Sequence, residues 1–255
     1  MILPEINPII LEIGPVGIRW YGLSWLAAFI TIYFIAKSRL TFLSKDQLSD
    51  LMFYGLLGAI IGGRVGYMFL YGIEQLANNI SSLFYIWQGG LSFHGGLLGV
   101  LISVVCLARS WKISFFDIMD FIAPCVPFGL GWVRIGNFLN SELLGRQTDL
   151  PWGVIFPSDP LGLTRHPSQL YQALSEGVLL SIFLIWFAKK DRPRAAISAL
   201  FLVGYGVIRC ITELFREPDS HIGFDLFDLV TRGQLLSLPM ILAGMMILFY
   251  SYRKT

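Results

Sequence analysis

The chain has 255 residues, of which 55% are hydrophobic and only 14% charged, and a mean hydropathy of +0.65, far from the averages of soluble domains. This is the composition of an integral membrane protein, and its length suits one bundle of several helices, since each crossing needs roughly 20 mainly apolar residues. The formal net charge of +2 comes without any block of like charges or basic stripe, which excludes a nucleic-acid surface.

Reading apolar stretches bounded by charge, in chain order, predicts seven spans, at 20–36, 51–71, 91–108, 115–133, 170–188, 196–214 and 234–252. The fold expected is an all-α polytopic membrane protein. The start, MILPEINPIILEIGPVGIRW, carries acidic residues and prolines where a secretory signal would be basic, so no cleaved peptide is expected. Residues 1–18 are expected to form an interfacial arm. Lys37, Arg39, Lys45, Arg109, Lys112, Lys189, Lys190, Arg192, Arg194, Arg253 and Lys254 fall at one set of span ends. By the positive-inside rule these are cytoplasmic, giving an N-out, C-in topology. The loop 134–169, with its PWGVIFPSDP run, is long for a simple connection and is expected to form a small external cap.

The remaining basic residues are Arg19, Arg64, Arg134, Arg146, Arg165, Arg209, Arg216 and Arg232, all arginine. That choice suits planar, bidentate binding of phosphate or carboxylate. At about 1.5 Å per residue, Arg64 and Arg209 each lie about 20 Å up a core about 30 Å thick. His94, Tyr21, Tyr205 and Arg134 are expected in the same outer zone. An intramembrane ionisable residue is costly unless paired or facing a polar cavity. Arg209 could pair with Glu213 and Arg216 at helical spacing for structural reasons alone. For Arg64 both a carboxylate partner and substrate contact remain open. Glycine pairs flank His94 and permit close approach of a helix or a lipid chain. His166 precedes span five, where Ser168 suits a helix N-terminus. Asp117 and Asp120 are placed to favour the dipole of span four. Trp20, Trp25 and Trp87 read as interfacial belt residues.

Cys106, Cys125 and Cys210 lie in apolar runs without CxxC spacing and read as small buried hydrophobes. HExxH and GxSxG are absent, and His94, His166 and His221 are too scattered for a metal site. No metal and no cofactor are expected.

RIGNFLNSELLGR (134–146) closely resembles the signature of bacterial phosphatidylglycerol:prolipoprotein diacylglyceryl transferases. WYGL (20–23), GGRVGY (62–67), SFHGG (92–96), RHPSQLY (165–171) and GYGVIR through ELFREPD (204–219) resemble that family's other blocks, in its order and over nearly the whole chain. One departure is GWVR, where many members have Gly immediately before the signature Arg. The resemblance implies a single transmembrane catalytic domain over 1–255 in the bacterial inner membrane, with its active site toward the outer leaflet. It implies transfer of a diacylglyceryl group from phosphatidylglycerol to the thiol of the lipobox cysteine of preprolipoprotein signal peptides, releasing glycerol phosphate. The family's essential residues carry over to Tyr21, His94, Arg134, Asn137, Gly145, Tyr205 and Arg209, supported by Arg64, Asn140, Glu142, Glu213, Arg216 and His166.

The residue chemistry fits that reaction. A phosphate monoester leaving group needs its charge stabilised as the C–O bond breaks, which assigns Arg134 and Arg209 to the phosphate. Asn137, Asn140, Gly145 and Arg64 complete the expected lipid site, and Tyr205 positions the head group. Glu142 is expected to partner an arginine, and Arg146 to order the cap. An unperturbed thiol with a pKa of about 8.5 is mostly protonated at neutral pH, so His94 is the candidate base. An anion or lipid transporter would also use intramembrane arginines, but should continue its polar lining through the inner halves of the spans, which are apolar here. A non-catalytic lipid-binding protein would need the arginines without His94 and the asparagines.

Overall fold

The computed structural model describes residues 1–13, 16–218, 224–226 and 230–253. In chain order, strands β1 (Ile9–Ile13) and β2 (Val16–Arg19) precede helices α1 (Trp20–Ser38), α2 (Lys45–Leu70) and α3 (Ile73–Asn78). Then come α4 (Phe93–Trp111), α5 (Phe115–Ile122), α6 (Val126–Leu139), strands β3 (Val154–Ile155) and β4 (Thr164–Arg165), and α7 (Ser168–Gln172). A π-helical stretch, Ala173–Leu179, joins α7 to α8 (Leu180–Phe187); α9 (Ala196–Thr212), β5 (Phe224–Leu226), β6 (Val230–Thr231) and α10 (Arg232–Arg253) complete the chain. His221 and Lys254 lie outside the described residues.

Among the described residues, six helical segments are long and apolar enough to cross a membrane, or seven if α5 and α6, bent by 50° at a short break, count as one span. Their outer faces carry exposed Phe53, Phe69, Trp186, Leu242 and Phe249, while Arg64, Gln169, Gln172, Glu176, Arg209 and Glu213 are buried. Lipid tails are as apolar as leucine, so such a chain gains nothing by hiding its leucines and much by enclosing its polar groups. Cys106 departs from expectation: it is exposed on α4, whereas Cys125 is buried.

The chain falls into two compact units, Met1–Ile35 with Met119–Thr255, and Ala36–Ile118. In the second, Ser44 opens α2 with a reciprocal capping box, accepting from the Gln47 amide at 3.0 Å while the Gln47 side chain accepts from the Ser44 amide at 2.9 Å. Helices α2 and α4 pack through facing glycines. A methyl group on Gly62 would lie 2.9 Å from Gly99 Cα, and one on Gly66 would lie 2.8 Å from Gly95 Cα. The glycines that flank His94 therefore admit a helix, and two backbones meet where side chains would hold them apart.

In the first unit, α6 crosses the π-helical stretch at Gly131 and Gly177, where a methyl on Gly177 would lie 2.8 Å from Gly131 Cα. The N-terminus of α9 is held by Asp120, which accepts from the amides of Ala195 at 2.7 Å and Ser198 at 2.8 Å. Asp120 thus serves the dipole of α9, not that of its own helix as its position suggested. The first residues also have a defined seat. The Met1 ammonium donates to the Gly153 carbonyl at 2.8 Å, Leu3 N–H to Ile155 O at 3.0 Å and Ile155 N–H to Met1 O at 2.9 Å, so Ile2 forms an isolated parallel bridge to Ile155 of β3.

Inside 140–167, Arg165 grips Asp159 with a fork of two hydrogen bonds, 2.8 Å from Nε and 3.1 Å from Nη2. Arg165 holds the Asp159 carboxyl below the usual carboxylate range. The stabilisation is present above the ordinary aspartate pKa and is lost as pH falls through the lowered folded value. Two outcomes are expected. Gly62→Val lowers the melting temperature of the detergent-solubilised protein, with a cost of about 1–3 kcal/mol from overpacking. Asp159→Asn removes the nearer counter-charge of Arg165 and leaves Glu217 at 3.7 Å, at a cost of about 1–3 kcal/mol, and limited proteolysis of the 140–167 segment then accelerates at neutral pH but not at pH values below the folded pKa of Asp159.

Candidate active site

Three helical faces of the first unit bring charge together. Arg134 and Asn137 on α6 and Asn140 at its C-cap follow one another at helical spacing. The α7 and π-helical segment contributes Gln169, Gln172 and Glu176, and α9 contributes Tyr205, Arg209, Thr212 and then Glu213. Their side chains form an alternating series of charges. Arg134 Nη2 lies 3.8 Å from Glu176 Oε2, and Arg209 Nη1 lies 3.6 Å from Glu176 Oε1. Arg209 also pairs closely with Glu213 at i,i+4, and Arg216 Nη1 meets Glu213 at 3.2 Å. Thr212 Oγ1 donates to Glu176 Oε1 at 2.6 Å, and Thr231 Oγ1 to Glu213 Oε2 at 2.8 Å. Tyr205, one turn before Arg209 on α9, lies near Arg134, Glu176 and Arg209.

The site holds unspent hydrogen-bonding capacity. Among the described residues, Asn137 Oδ1, Asn140 Oδ1, Gln169 Oε1, Gln172 Nε2, Glu176 Oε2 and Arg209 Nη1 are buried without a hydrogen-bond partner. Buried polar atoms are nearly always paired, so a cluster of exceptions on three adjoining helices marks a place built for a polar group from outside the chain. The π-helical turn contributes directly, because widening the helix there sets Glu176 between two arginines; such bulges recur at functional sites.

The end of the signature is held by its backbone. Ser141 and Leu143 adopt left-handed conformations, with φ of 54° and 56°, a cost the surroundings must offset. Three consecutive carbonyls of this turn are each tied by a side chain, that of Ser141 by Ser158 Oγ at 2.5 Å, Glu142 by Gln169 Nε2 at 2.5 Å and Leu143 by Ser168 Oγ at 3.3 Å. Ser168 therefore binds the turn, and the residue at the N-cap of α7 is Pro167, without a side-chain bond. Glu142 also departs from expectation. Its carboxylate accepts from Asn137 Nδ2 at 2.9 Å and Asn140 Nδ2 at 3.2 Å, and the buried carboxylate that pairs with Arg134 is Glu176. Each asparagine is thereby oriented with its amide oxygen free.

Gly145 is confined: a methyl there would lie 2.9 Å from the carbonyl carbon of His166. The Arg146 amide donates to Phe215 O at 2.9 Å, its Nε to Arg216 O at 3.0 Å, and Glu217 N–H to Leu144 O at 3.0 Å. These bonds lock the signature to the residues after α9 and give Arg146 a binding partner in backbone. His166 Nδ1 lies 3.3 Å from the Tyr171 hydroxyl, which accepts from Trp152 Nε1 at 2.7 Å; burial pushes the His166 pKa down. Tyr21 and Ser24 pack on Gly136, where a methyl would lie 3.3 Å from Tyr21 Cδ2, so α1 joins α6 beside Asn137.

Arg64 and His94 belong to the second unit. Arg64, only 3% exposed, donates to the carbonyls of Leu83 at 3.2 Å, Gly89 at 2.5 Å, Gly90 at 3.3 Å and Ser82 at 2.6 Å. Four of its five N–H donors thus clasp the 82–90 loop, and among the described residues it makes no ion pair with a carboxylate. His94 is exposed in the first turn of α4, edge-on to Phe93 with ring centroids 5.6 Å apart. No group of three or more His, Cys, Asp or Glu placed to hold a metal occurs among the described residues.

The buried polar residues of this cluster missed by sequence reasoning are Glu176, Gln169, Gln172 and Thr212. A signal existed for them: Gln169, Gln172 and Glu176 recur at i, i+3 and i+7 in an otherwise apolar span, the same pattern of buried cost that drew notice to the arginines.

Residues 8–250 match the family model described as LGT, prolipoprotein diacylglyceryl transferase. Proteins named phosphatidylglycerol--prolipoprotein diacylglyceryl transferase are 48% identical in Acinetobacter baylyi and 49% in Acinetobacter baumannii, each match covering 98% of this chain and 94% of the relative. The protein of that name from Teredinibacter turnerae is 49% identical over 98% of this chain and 92% of its own length. With an arginine and carboxylate cluster that joins its signature helix to two neighbouring helices and this likeness over nearly its full length, the chain belongs to the prolipoprotein diacylglyceryl transferase family.

Proposed function

We propose that the chain transfers the diacylglyceryl group of phosphatidylglycerol to the thiol of a lipobox cysteine, and that Arg134 and Arg209 hold the phosphate while this happens. The observation that carries the assignment is the pair of guanidinium groups flanking one buried carboxylate, amid polar atoms that lack partners. In the reaction the cysteine sulfur attacks the glycerol CH2 carbon that bears the phosphate. The carbon–oxygen bond breaks, its electron pair stays on the phosphate oxygen, and glycerol phosphate leaves. Charge on that oxygen grows as the bond lengthens, and preorganised guanidinium donors in a water-poor site stabilise the growth more than the ground state.

Roles for the other residues follow from their partners. Asn137 and Asn140, held through their amide nitrogens by Glu142, offer their oxygens to hydroxyls of the head group. Tyr205, beside Arg134, donates to the phosphate. Gly145 lets the signature turn close on His166, and Glu213 spaces Arg209 from Arg216. The thiol proton needs an acceptor, and His94, an exposed imidazole in the first turn of α4, is assigned to that task.

The whole chain acts as one catalytic domain in the bacterial inner membrane, with α5 and α6 together counted as the fourth of seven spans. Lysine clusters at 37–45 and 189–190 favour a cytoplasmic position for those ends, which puts the signature, the arm 1–18 and the cap 134–169 on the periplasmic side. A signal peptide presents its cysteine there, while phosphatidylglycerol keeps its tails in the outer leaflet.

Purified protein in vesicles with phosphatidylglycerol and a lipobox peptide should yield a peptide heavier by one diacylglyceryl group in thioether linkage; ion flux without product would contradict the reading. In the same assay Arg134→Ala should reduce kcat/KM by about 100-fold or more, and Arg146→Ala should stay within about tenfold of wild type because Arg146 ties the signature turn to the residues after α9 and does not hold the phosphate. Equal losses would refute the separation. His94→Gln should depress transfer and flatten the acid limb of the pH profile, and a wild-type profile would remove His94 as the base.

A further inference from the structure

Helix α6 and the helical segment that begins with α7 run antiparallel, and their contacts fix a register. Gly131 meets Gly177, Arg134 meets Glu176 and, at the other end, the Glu142 carbonyl accepts from Gln169 Nε2 at 2.5 Å. Gln172 falls between these levels, one turn before Glu176 and three residues after Gln169, and so lies at the level of Asn137 and Asn140. It is 1% exposed, and its Nε2 has no hydrogen-bond partner. Asn137 Oδ1 is buried and unpartnered too, as are Asn140 Oδ1 and Gln169 Oε1. Glu142 accepts from the amide nitrogens of both asparagines, so their oxygens are what they present to the site. A buried donor and a buried acceptor at one level that do not bond to each other call for a third group, and that group must accept and donate at once.

We propose that Gln172 is a specificity-determining residue that reads a hydroxyl of the lipid head group. The proposal rests on the transferase reading above. A hydroxyl accepts from Gln172 Nε2 and donates to Asn137 Oδ1, whereas an ammonium only donates and a methyl does neither. Asn137 follows Arg134 by three residues, about 5 Å along the helix, which suits the reach of a glycerol head group from its phosphate to its hydroxyls. With the phosphate on Arg134, the head group extends along α6 toward Asn137 and Gln172, and a second hydroxyl finds acceptors in Asn140 Oδ1 and Gln169 Oε1. A head group without hydroxyls leaves Gln172 Nε2 and Asn137 Oδ1 buried and unpaired, and a site built in that way discriminates against it.

The test compares phosphatidylglycerol with phosphatidylpropanol, whose head group is the same three-carbon chain without hydroxyls, as donors to a lipobox peptide in phosphatidylcholine vesicles. Both lipids carry the same phosphodiester charge, release an alkyl phosphate and give the same thioether, so their kcat/KM values compare directly. Wild type is expected to prefer phosphatidylglycerol by about tenfold or more. In Gln172→Met and Gln172→Leu that preference is expected to shrink by about fivefold or more, because phosphatidylglycerol loses rate and phosphatidylpropanol does not. Both variants should melt no lower than wild type in lipid-free detergent, since each replaces an amide whose nitrogen is buried without a partner. Equal use of the two lipids by wild type, an unchanged preference in the variants, or equal loss of rate on both lipids would overturn the proposal. So would failure of both variants to fold, which would make the amide a support of the helix. A bridging water unrelated to substrate would give the unchanged preference. Absence of thioether from wild type with phosphatidylglycerol would contradict the transferase reading and the proposal with it, whereas thioether formed equally from both lipids overturns the proposal alone, so the two failures are distinguishable.

Discussion

The alternating series Arg134, Glu176, Arg209, Glu213, Arg216 is the interaction on which the first unit depends. It crosses α6, the π-helical turn, α9 and the residues just beyond it, so none of these elements can shift without separating opposite charges in a low-dielectric surrounding. Breaking a buried pair from one side costs about 3–5 kcal/mol, and a membrane offers no water to offset the loss. The series also leaves its strongest donors under-used, since the two contacts of Glu176 are long. Stability and readiness for an anion thus come from the same side chains.

Backbone devices keep that balance. The π-turn sets the reach of Glu176, while the left-handed residues Ser141 and Leu143 turn the chain after α6 so that Glu142 orients both asparagines. Side chains from 158, 168 and 169 tie down the strained turn, and the Arg165–Asp159 fork stiffens the segment around it. Gly145 has no space for a side chain because three chain segments meet there. In the second unit the same economy uses Arg64, whose guanidinium organises a loop through four carbonyls.

Much of this is legible in the sequence because lipid punishes polarity wherever it falls. The spans are marked by apolar length, and Arg134 and Arg209 by their charge within it. The partners of those charges are less visible. Glu142 is near an arginine in sequence but turns toward asparagines, because two left-handed residues reverse the chain around it. Glu176 is distant from Arg134 in sequence and reaches it only across the Gly131–Gly177 helix crossing. Arg64 looked like a ligand-binding residue by depth alone, since hydropathy cannot reveal that a following glycine-rich loop folds back to supply carbonyls. The seat of Met1 to Leu3 beside β3 is a backbone pairing with no side-chain signature.

The central claim is that Arg134 and Arg209 hold the phosphate of the lipid. Nitrogen-15 NMR of the arginine side chains, assigned by single substitutions in nanodiscs, reports it directly. Replacing phosphatidylcholine with phosphatidylglycerol should move the Arg134 and Arg209 resonances and leave those of Arg64 and Arg165 in place. Unmoved Arg134 and Arg209 resonances, or shifts confined to Arg64, would contradict the account.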